Sequence, residues 1–228
     1  MIKIGVHGST GRVGRKLVEY IKDPKNSELE LVGEWSRSSK NNIEDLFKNS
    51  DVIVDFSLPE ALEELIALCV HHKKPLVTGT TGIDDNIKNH LQSAARIIPI
   101  FYSPNMSLGA NLIGMMASKT ISLLPEEYDI EIIDIHHKNK KDAPAGTALQ
   151  IERMMKEASQ RHNIHITSIR TGENAEHQIL FSGPDETITI SHKVTGKMPF
   201  VIGACNAAIW LCKQEPNMYN MHDFLLTM

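Results

Sequence analysis

Excess positive charge, paired cysteines and long apolar runs are all missing from this sequence, and aromatic side chains make up only 5% of it. Lys and Arg number 24 against 28 Asp and Glu, a net charge of -4. That balance is wrong for meeting a phosphate backbone, so nucleic acid is not an expected partner. Three cysteines, Cys69, Cys205 and Cys212, are an odd number in apolar, helix-like surroundings. They read as buried thiols in a reducing compartment, not as a disulfide framework. No apolar run approaches membrane-spanning length, and an apolar strand pattern, Ile2-Lys3-Ile4-Gly5-Val6, begins at once. Neither a membrane segment nor a cleavable leader is expected, and the chain is placed in the cytoplasm. Neither the paired histidines nor the cysteines show a ligand spacing, so no metal is expected. The 228 residues suffice for one or two domains with a sizeable core.

The polar chemistry is concentrated in residues 136–149, His-His-Lys-Asn-Lys-Lys-Asp-Ala-Pro-Ala-Gly-Thr-Ala-Leu. Residues 128–135 alternate from Ile130 onward and read as a strand that delivers His136 and His137 to its carboxyl end. Lys138, Lys140 and Lys141 add positive charge. Asp142 suits a turn, Pro144 stiffens it, and Gly146-Thr147 opens a helix over residues 145–160. Amides at a helix start, a Thr hydroxyl and a nearby ammonium form a receptor for a carboxylate. A histidine beside them transfers a proton near neutral pH. Any one of these residues alone would pass for part of a solvated basic loop. Two adjacent imidazoles, a rigid Asp-Ala-Pro turn and a Gly-Thr helix start together point to a site.

At the other end, the first strand runs into His7-Gly8-Ser9-Thr10-Gly11-Arg12-Val13-Gly14 and then a helix with apolar Val13, Leu17, Val18 and Ile21. Glycines at 8, 11 and 14 permit a tight turn and the approach of a pyrophosphate to backbone amides, and the helix dipole favours the anion. The spacing is looser than Gly-x-Gly-x-x-Gly, but it stands at the start of a βαβ unit. A second strand, 29–34, ends in Trp35-Ser36-Arg37-Ser38-Ser39-Lys40. Ser36 and Arg37 offer the hydroxyl and cation that a 2′-phosphate calls for, while Glu34 is a candidate ribose acid. Cofactor choice leans towards NADPH, with NADH as the alternative.

Residues 51–56 read as a strand buried in a parallel sheet. Ser57 reads as the cap of the next helix, with Pro59 in its first turn and Glu60 three residues beyond the cap. Further strands are expected at 75–78 and 97–101, with a helix at 84–95 between them. The loops Gly79-Thr80-Thr81-Gly82 and Tyr102-Ser103-Pro104-Asn105-Met106 then fall at carboxyl strand ends, where open α/β sheets bind ligands. A helix over 108–124, rich in small and flexible apolar residues, suits a link between domains. The helix 145–160 followed by strands at 165–170, 177–181 and 187–192 indicates an α+β second domain. Apolar helices at 203–212 and 221–226 suit a return to the first.

Five motifs in order, Gly8-Ser9-Thr10-Gly11-Arg12-Val13-Gly14, Asp55-Phe56-Ser57-Leu58-Pro59-Glu60, Gly79-Thr80-Thr81-Gly82, Ser103-Pro104-Asn105-Met106-Ser107 and, most specific, His136-His137 through Gly146-Thr147-Ala148-Leu149, resemble those of the 4-hydroxy-tetrahydrodipicolinate (dihydrodipicolinate) reductase family. The resemblance runs from residue 2 to about 226. It implies an α/β fold in which a Rossmann-like parallel-sheet dinucleotide-binding domain (1–107 and 198–228) is joined to an α+β substrate-binding and oligomerisation domain (108–197), the latter building a homotetramer through its sheet. It implies NAD(P)H-dependent reduction of a small dicarboxylate, 4-hydroxy-2,3,4,5-tetrahydrodipicolinate, to 2,3,4,5-tetrahydrodipicolinate in the diaminopimelate route to lysine. Carried over by position, Gly8, Ser9, Thr10, Gly11, Arg12 and Val13 hold the pyrophosphate, and Arg12 with Arg37 meets the adenosine end. Gly79, Thr80, Thr81, Ser103, Pro104, Asn105 and Met106 line the nicotinamide side. His136 matches the catalytic histidine, Lys140 the proton-donating lysine, and His137, Gly146 and Thr147 the contacts to the substrate carboxylates. The chemistry fits, because a hydride delivered to a conjugated ring carbon needs a matching proton and two carboxylates need donors.

The chain departs from the family pattern in places. Ser36 stands where many members carry an acid, Lys197 where arginine is common, the segment 170–177 is short, and the chain is compact between Lys40 and Asp51. Two alternatives compete: a two-domain dehydrogenase acting on an amino acid such as aspartate, and a nucleotide-sensing scaffold without turnover. A one-histidine loop lacking Lys-Asp-Ala-Pro would favour the first. Loss of His136 or Lys140 would favour the second, and both are present.

Overall fold

In a computed structural model described for residues 1–39, 42–159, 161 and 163–228, the chain forms two compact units, Met1–Ser107 with Phe200–Met228, and Leu108–Pro199. Lys40 and Gln160, expected to end a loop and a helix, lie outside the described residues.

The first unit is built on strands β1 (Ile2–His7), β2 (Leu29–Trp35), β3 (Val52–Asp55), β4 (Leu76–Thr78), β5 (Ile100–Tyr102) and the carboxyl-terminal β10 (Met218–Tyr219). They pair in the order β10-β5-β4-β3-β1-β2, every pair parallel. All four residues of β3 are buried, because helices on both faces leave a central parallel strand no contact with water. The chain passes from β1 to β2 on one side and returns to β3 on the other. Between β1 and β3 the winding therefore reverses, which opens a crevice beyond the carboxyl ends of these strands. Around the sheet lie α1 (Gly14–Lys22), the short α2 (Asp45–Lys48), α3 (Pro59–His71), α4 (Asp85–Ala94), α7 (Met198–Leu211) and α8 (Met221–Leu225).

Helix α7 is apolar nearly all round and sits tightly on the turn after β5. A Cβ added at Gly203 would lie 1.7 Å from the Met106 carbonyl oxygen. Gly203→Ala is expected to lower stability by about 3 kcal/mol, read as a lower urea midpoint. An unchanged midpoint would show that the helix can shift freely.

Several local expectations need correction. The strand at 97–101 begins only at Ile100, because the Ile97 and Ile98 amides turn back to the Ala94 carbonyl and close α4. The helix expected at 203–212 begins at Met198, since Pro199 falls in its first turn, where its missing N–H costs nothing. Ser57 is not a cap. Leu58 takes that position without a side-chain bond, Pro59 follows it, and the Ser57 amide is held by Asp55 Oδ1 at 3.1 Å. Helix α2, a 3-10 turn at Pro24–Asn26 and β10 were not foreseen, being shorter than any hydrophobic period.

The second unit pairs β6 (Asp129–His136), β7 (Ile164–Arg170), β8 (Ala175–Ser182) and β9 (Thr187–Val194) in the order β7-β6-β8-β9, with β6 and β7 parallel and the other pairs antiparallel. Ile130, Ile132, Ile179 and Phe181 form a core with Ile113, Ala117 and Ile121 of α5 (Leu108–Leu123) and Ala148, Ile151 and Met155 of α6 (Gly146–Ala158). Helix α5, expected as a link, is thus a core layer. Its small residues serve close packing, as a Cβ at Gly114 would lie 2.9 Å from Met154 Sδ. The opposite face is open: Ile133 and Ile135 are only partly buried, Ile169 is 40% exposed, and no residue of β9 is buried. Among the described residues no helix is long and apolar enough to cross a membrane.

Candidate active site

Strand alternation puts Ile130, Ile132, Asp134 and His136 on one face of β6. The first two join the core, whereas the last two set a carboxylate and an imidazole at its end, both buried. Asp134 has no solvent exposure. Its Oδ1 lies 2.6 Å from His136 Nδ1. Its Oδ2 accepts the Ala145 amide at 2.8 Å, Arg170 Nη2 at 2.9 Å and the Ser168 hydroxyl at 3.1 Å. Arg170 also donates to the Asp134 carbonyl at 3.0 Å and to the Asp142 carbonyl at 2.7 Å, and Lys140 Nζ pairs with Asp142 Oδ2 at 2.9 Å. Helix α6 starts at Gly146-Thr147 with no side-chain cap from Ala145, and His137 is exposed.

Burial alone would raise the Asp134 carboxyl, but the Ala145 amide and the Arg170 guanidinium outweigh it and hold the group below its ordinary value. An ionised carboxylate only accepts, so the proton between the two residues sits on His136 Nδ1. Burial lowers the His136 pKa, Asp134 offsets this in part, and Lys140 and Arg170 push it down further. At neutral pH the ring is therefore neutral, with an open lone pair on Nε2.

His177 stands across from Asp134 in the β6–β8 ladder and meets the His136 ring edge-on at 5.2 Å. Its Nε2 is 3.7 Å from Asp134 Oδ1 and has no hydrogen-bond partner. Asp134, His136 and His177 bring potential ligand atoms within 4.8 Å of one another. Arg170 already neutralises the carboxylate, however, and a 2.6 Å Asp–His contact suits a shared proton better than two donors spread around a zinc ion.

Burial, reinforced by His136, pushes His177 from 6.5 down to about 4. The unfolded chain takes up this proton more readily, so stability is fully present above the unfolded value and is lost as pH falls from about 6.5 towards 4. The loss is up to about 3 kcal/mol. Urea titrations at neutral and acid pH should show His177→Gln losing less stability than the parent; equal losses would mean that His177 is not the buried neutral group described.

In the first unit, Trp35, His7, Asp55, Thr78 and Tyr102 stand in register at the ends of β2, β1, β3, β4 and β5. His7 stacks on Trp35 at 5.0 Å, and its Nδ1 is 2.6 Å from Asp55 Oδ1. The hydroxyls of Thr78 and Thr80 donate to Asp55 Oδ2 at 2.8 and 2.7 Å. Burial would raise this carboxyl, yet His7, Ser57 and Thr80 reverse the effect and hold it low. One buried carboxylate thereby ties together the chain after β1, β3 and β4. Sequence reasoning missed this network, although a lone acid ending the apolar strand β3 was the available signal.

The glycine loop closes over these residues. Gly8 has φ +79°, and a Cβ there would meet the Phe56 carbonyl at 2.6 Å; one at Gly14 would lie 2.1 Å from the Gly8 carbonyl. The Gly8 and Ser9 amides bond the Trp35 carbonyl, and the Gly11 amide bonds that of Gly8. Thr10 and Arg12 are exposed, Val13 is partly buried, and Ser9 is buried. Ser36 is buried, with its hydroxyl 3.0 Å from that of Ser38, whereas Arg37 is exposed. After β4, Gly79 packs against the Phe56 ring, Thr80 is buried and Thr81 is exposed. After β5, the Ser103 hydroxyl donates to the Asn105 carbonyl, Pro104 is exposed and Met106 is buried. The turn is too tight for side chains at positions 8 and 14 and is followed directly by a helix at the sheet's switch point, so it fits the pyrophosphate of a dinucleotide.

Comparison with known proteins bears on both units. Residues 2–106 match the family described as dihydrodipicolinate reductase, N-terminus, and residues 109–225 the one described as dihydrodipicolinate reductase, C-terminus. The chain is 40% identical over 238 residues to a 4-hydroxy-tetrahydrodipicolinate reductase of Rickettsia bellii, covering 98% of this chain and 94% of that one. It is 37% identical over 245 residues to one of Campylobacter jejuni, covering 99% of each. Among solved structures, a dipicolinate-bound dihydrodipicolinate reductase from Paenisporosarcina superposes with TM-score 0.82 at 26% identity, over 96% of this chain and 97% of that one. An aspartate dehydrogenase from Thermotoga maritima shares the fold alone, with TM-score 0.53 at 13% identity over 94% and 98% of the two chains.

Proposed function

The chain belongs to the dihydrodipicolinate reductase family, and from this premise we propose how its residues divide the NAD(P)H-dependent reduction of 4-hydroxy-2,3,4,5-tetrahydrodipicolinate to 2,3,4,5-tetrahydrodipicolinate in the diaminopimelate route to lysine. The reaction consumes one hydride and one proton and releases water. Residues 1–107 and 198–228 hold the dinucleotide, and residues 108–197 hold the substrate and assemble a homotetramer. Because the Gly8, Ser9 and Gly11 amides are engaged within the fold, the pyrophosphate falls to Thr10, Arg12 and Val13. The nicotinamide side is lined by Gly79, Thr80, Thr81, Ser103, Pro104, Asn105 and Met106. Bound NAD(P)H supplies the hydride.

The observation that carries the reading is the buried His136–Asp134 pair beside the Lys140–Asp142 pair and the helix start at Gly146-Thr147. With Nδ1 committed to Asp134, His136 offers Nε2 as an acceptor, and the proton comes from the Lys140 ammonium. His137, Gly146 and Thr147 receive the substrate carboxylates. The open face of the second sheet, with Ile133, Ile135 and Ile169, suits burial against other copies, and the buried thiols of Cys69 and Cys205 suit the cytoplasm.

Absorbance of NADPH with purified protein, aspartate semialdehyde, pyruvate and an active synthase tests the activity. Oxidation that depends on all three additions is expected; oxidation indifferent to any of them contradicts it. NADPH is the preferred cofactor, through Arg37, since Ser36 is turned into its own loop. Arg37→Ala should raise KM for NADPH about 10-fold, the scale of one charge-assisted hydrogen bond, with KM for NADH unchanged. Equal effects on both cofactors would remove Arg37 from the 2′-phosphate.

A further inference from the structure

Asp134 does more than neutralise a neighbour. Its Oδ1 holds the last residue before the loop, His136 at the end of β6, and its Oδ2 holds the last residue before α6, Ala145. One carboxylate therefore clamps both ends of the loop that carries Lys140. Arg170 grips the middle, because the Nη2 that bonds Asp134 Oδ2 also bonds the Asp142 carbonyl, and the Asp142 side chain holds Lys140. Apart from the Ser168 hydroxyl, which also donates to Oδ2, the hydrogen-bond partners of the Asp134 carboxylate are the two ends of the loop and the Arg170 that braces it. A buried ion pair is a poor device for stability alone, since an apolar replacement of similar shape often serves as well. What the pair provides is geometry.

We propose that Asp134 and Arg170 form a positioning pair that fixes the tautomer of His136 and the location of Lys140 in one hydrogen-bonded frame, an inference that rests on the roles assigned to those two residues above. The charged and titratable groups facing His136 are Asp134 from its own strand, Lys140 from the loop, Arg170 from β7 and His177 from β8, with His192 of β9 opposite His177. Of these only Asp134 is an acid. An amide in its place has one acceptor oxygen for several donors, and its NH2 group forces either His136 Nδ1 or the loop amide to give way. The imidazole proton can then move to Nε2, the atom that must stay open.

The experiment compares the full-length parent with Asp134→Asn, Asp134→Glu, Arg170→Lys and His136→Ala in the coupled NADPH assay across pH, together with 15N spectra of the histidine rings. Asp134→Asn should lower kcat about 100-fold, the scale of lost acid–base geometry, with KM for NADPH within about twofold of the parent. Loss of the negative charge lowers the His136 pKa further, so the acid limb of the rate profile moves to lower pH. Asp134→Glu should recover most of kcat, and Arg170→Lys should fall between. In the parent, the His136 ring should carry its proton on Nδ1. An Asp134→Asn enzyme with parental kcat and pH profile overturns the proposal, as does a parent ring protonated on Nε2, a result that requires no variant to fold. If the parent itself is inactive in the assay, the functional reading has failed, while the ring spectra still decide the frame.

Discussion

His136→Ala and Lys140→Ala each lower turnover at least ~100-fold, the smaller end of the effect expected when a positioned acid–base group is lost. The two losses differ in kind. His136→Ala removes the lone pair that faces away from Asp134 and the clamp at that end of the loop, while the Asp134 carboxylate keeps Arg170, Ser168 and Ala145 as partners, so the far end of the loop stays braced and the main loss is chemical. Lys140→Ala removes the ammonium held by Asp142, and with it the proton that accompanies hydride arrival. A short primary amine added to the Lys140→Ala enzyme should restore part of the rate, and imidazole should not. Since the dinucleotide is assigned to the other unit, NADPH affinity stays near the parental value in both. Parental turnover in both variants would remove the site from the loop after β6.

Asp55→Ala lowers stability by about 3 kcal/mol, the cost of leaving buried hydrogen-bonding groups without their acceptor, and weakens NADPH binding in whatever protein remains folded. His7 is 2% exposed and would be left beside an empty space, together with the hydroxyls of Thr78 and Thr80 that now end on the carboxylate. The folded pKa of Asp55 is depressed, so its contribution is present above the unfolded value near 4 and is lost as pH falls through the folded one. The measurement therefore belongs at neutral pH. Urea titration with NADPH fluorescence reads both effects. A loss below about 1 kcal/mol would mean that water or a neighbouring group replaces the carboxylate.

Local pattern carried much of the architecture. The apolar run at 51–56, the glycines at 8, 11 and 14 and the alternation from Ile130 each reflect a constraint acting within a few residues, and each element stands where it was expected. Helix α5 stands where the pattern put it, but its small residues, which read as a link, serve close helix packing in the core. Strand β10 exists only because β5 offers it an edge, which two residues cannot announce. The same distinction divides the site. His136 and Lys140 stood out as side chains, whereas Asp134 read as one more polar position of a strand, although it lies two residues from His136 and so on the same face. Arg170 and His177 reach it through the β7-β6-β8 pairing, and no local spacing encodes which strands become neighbours.

At the centre stands the transfer of a hydride from NAD(P)H to the ring carbon that bore the hydroxyl. Mass spectrometry of the product made with NADPH deuterated at the transferable position tests it most directly. The account predicts tetrahydrodipicolinate one mass unit heavier, with the label at that carbon and none in product formed without the enzyme. Unlabelled product, or no consumption of NADPH while the substrate is present, would contradict it.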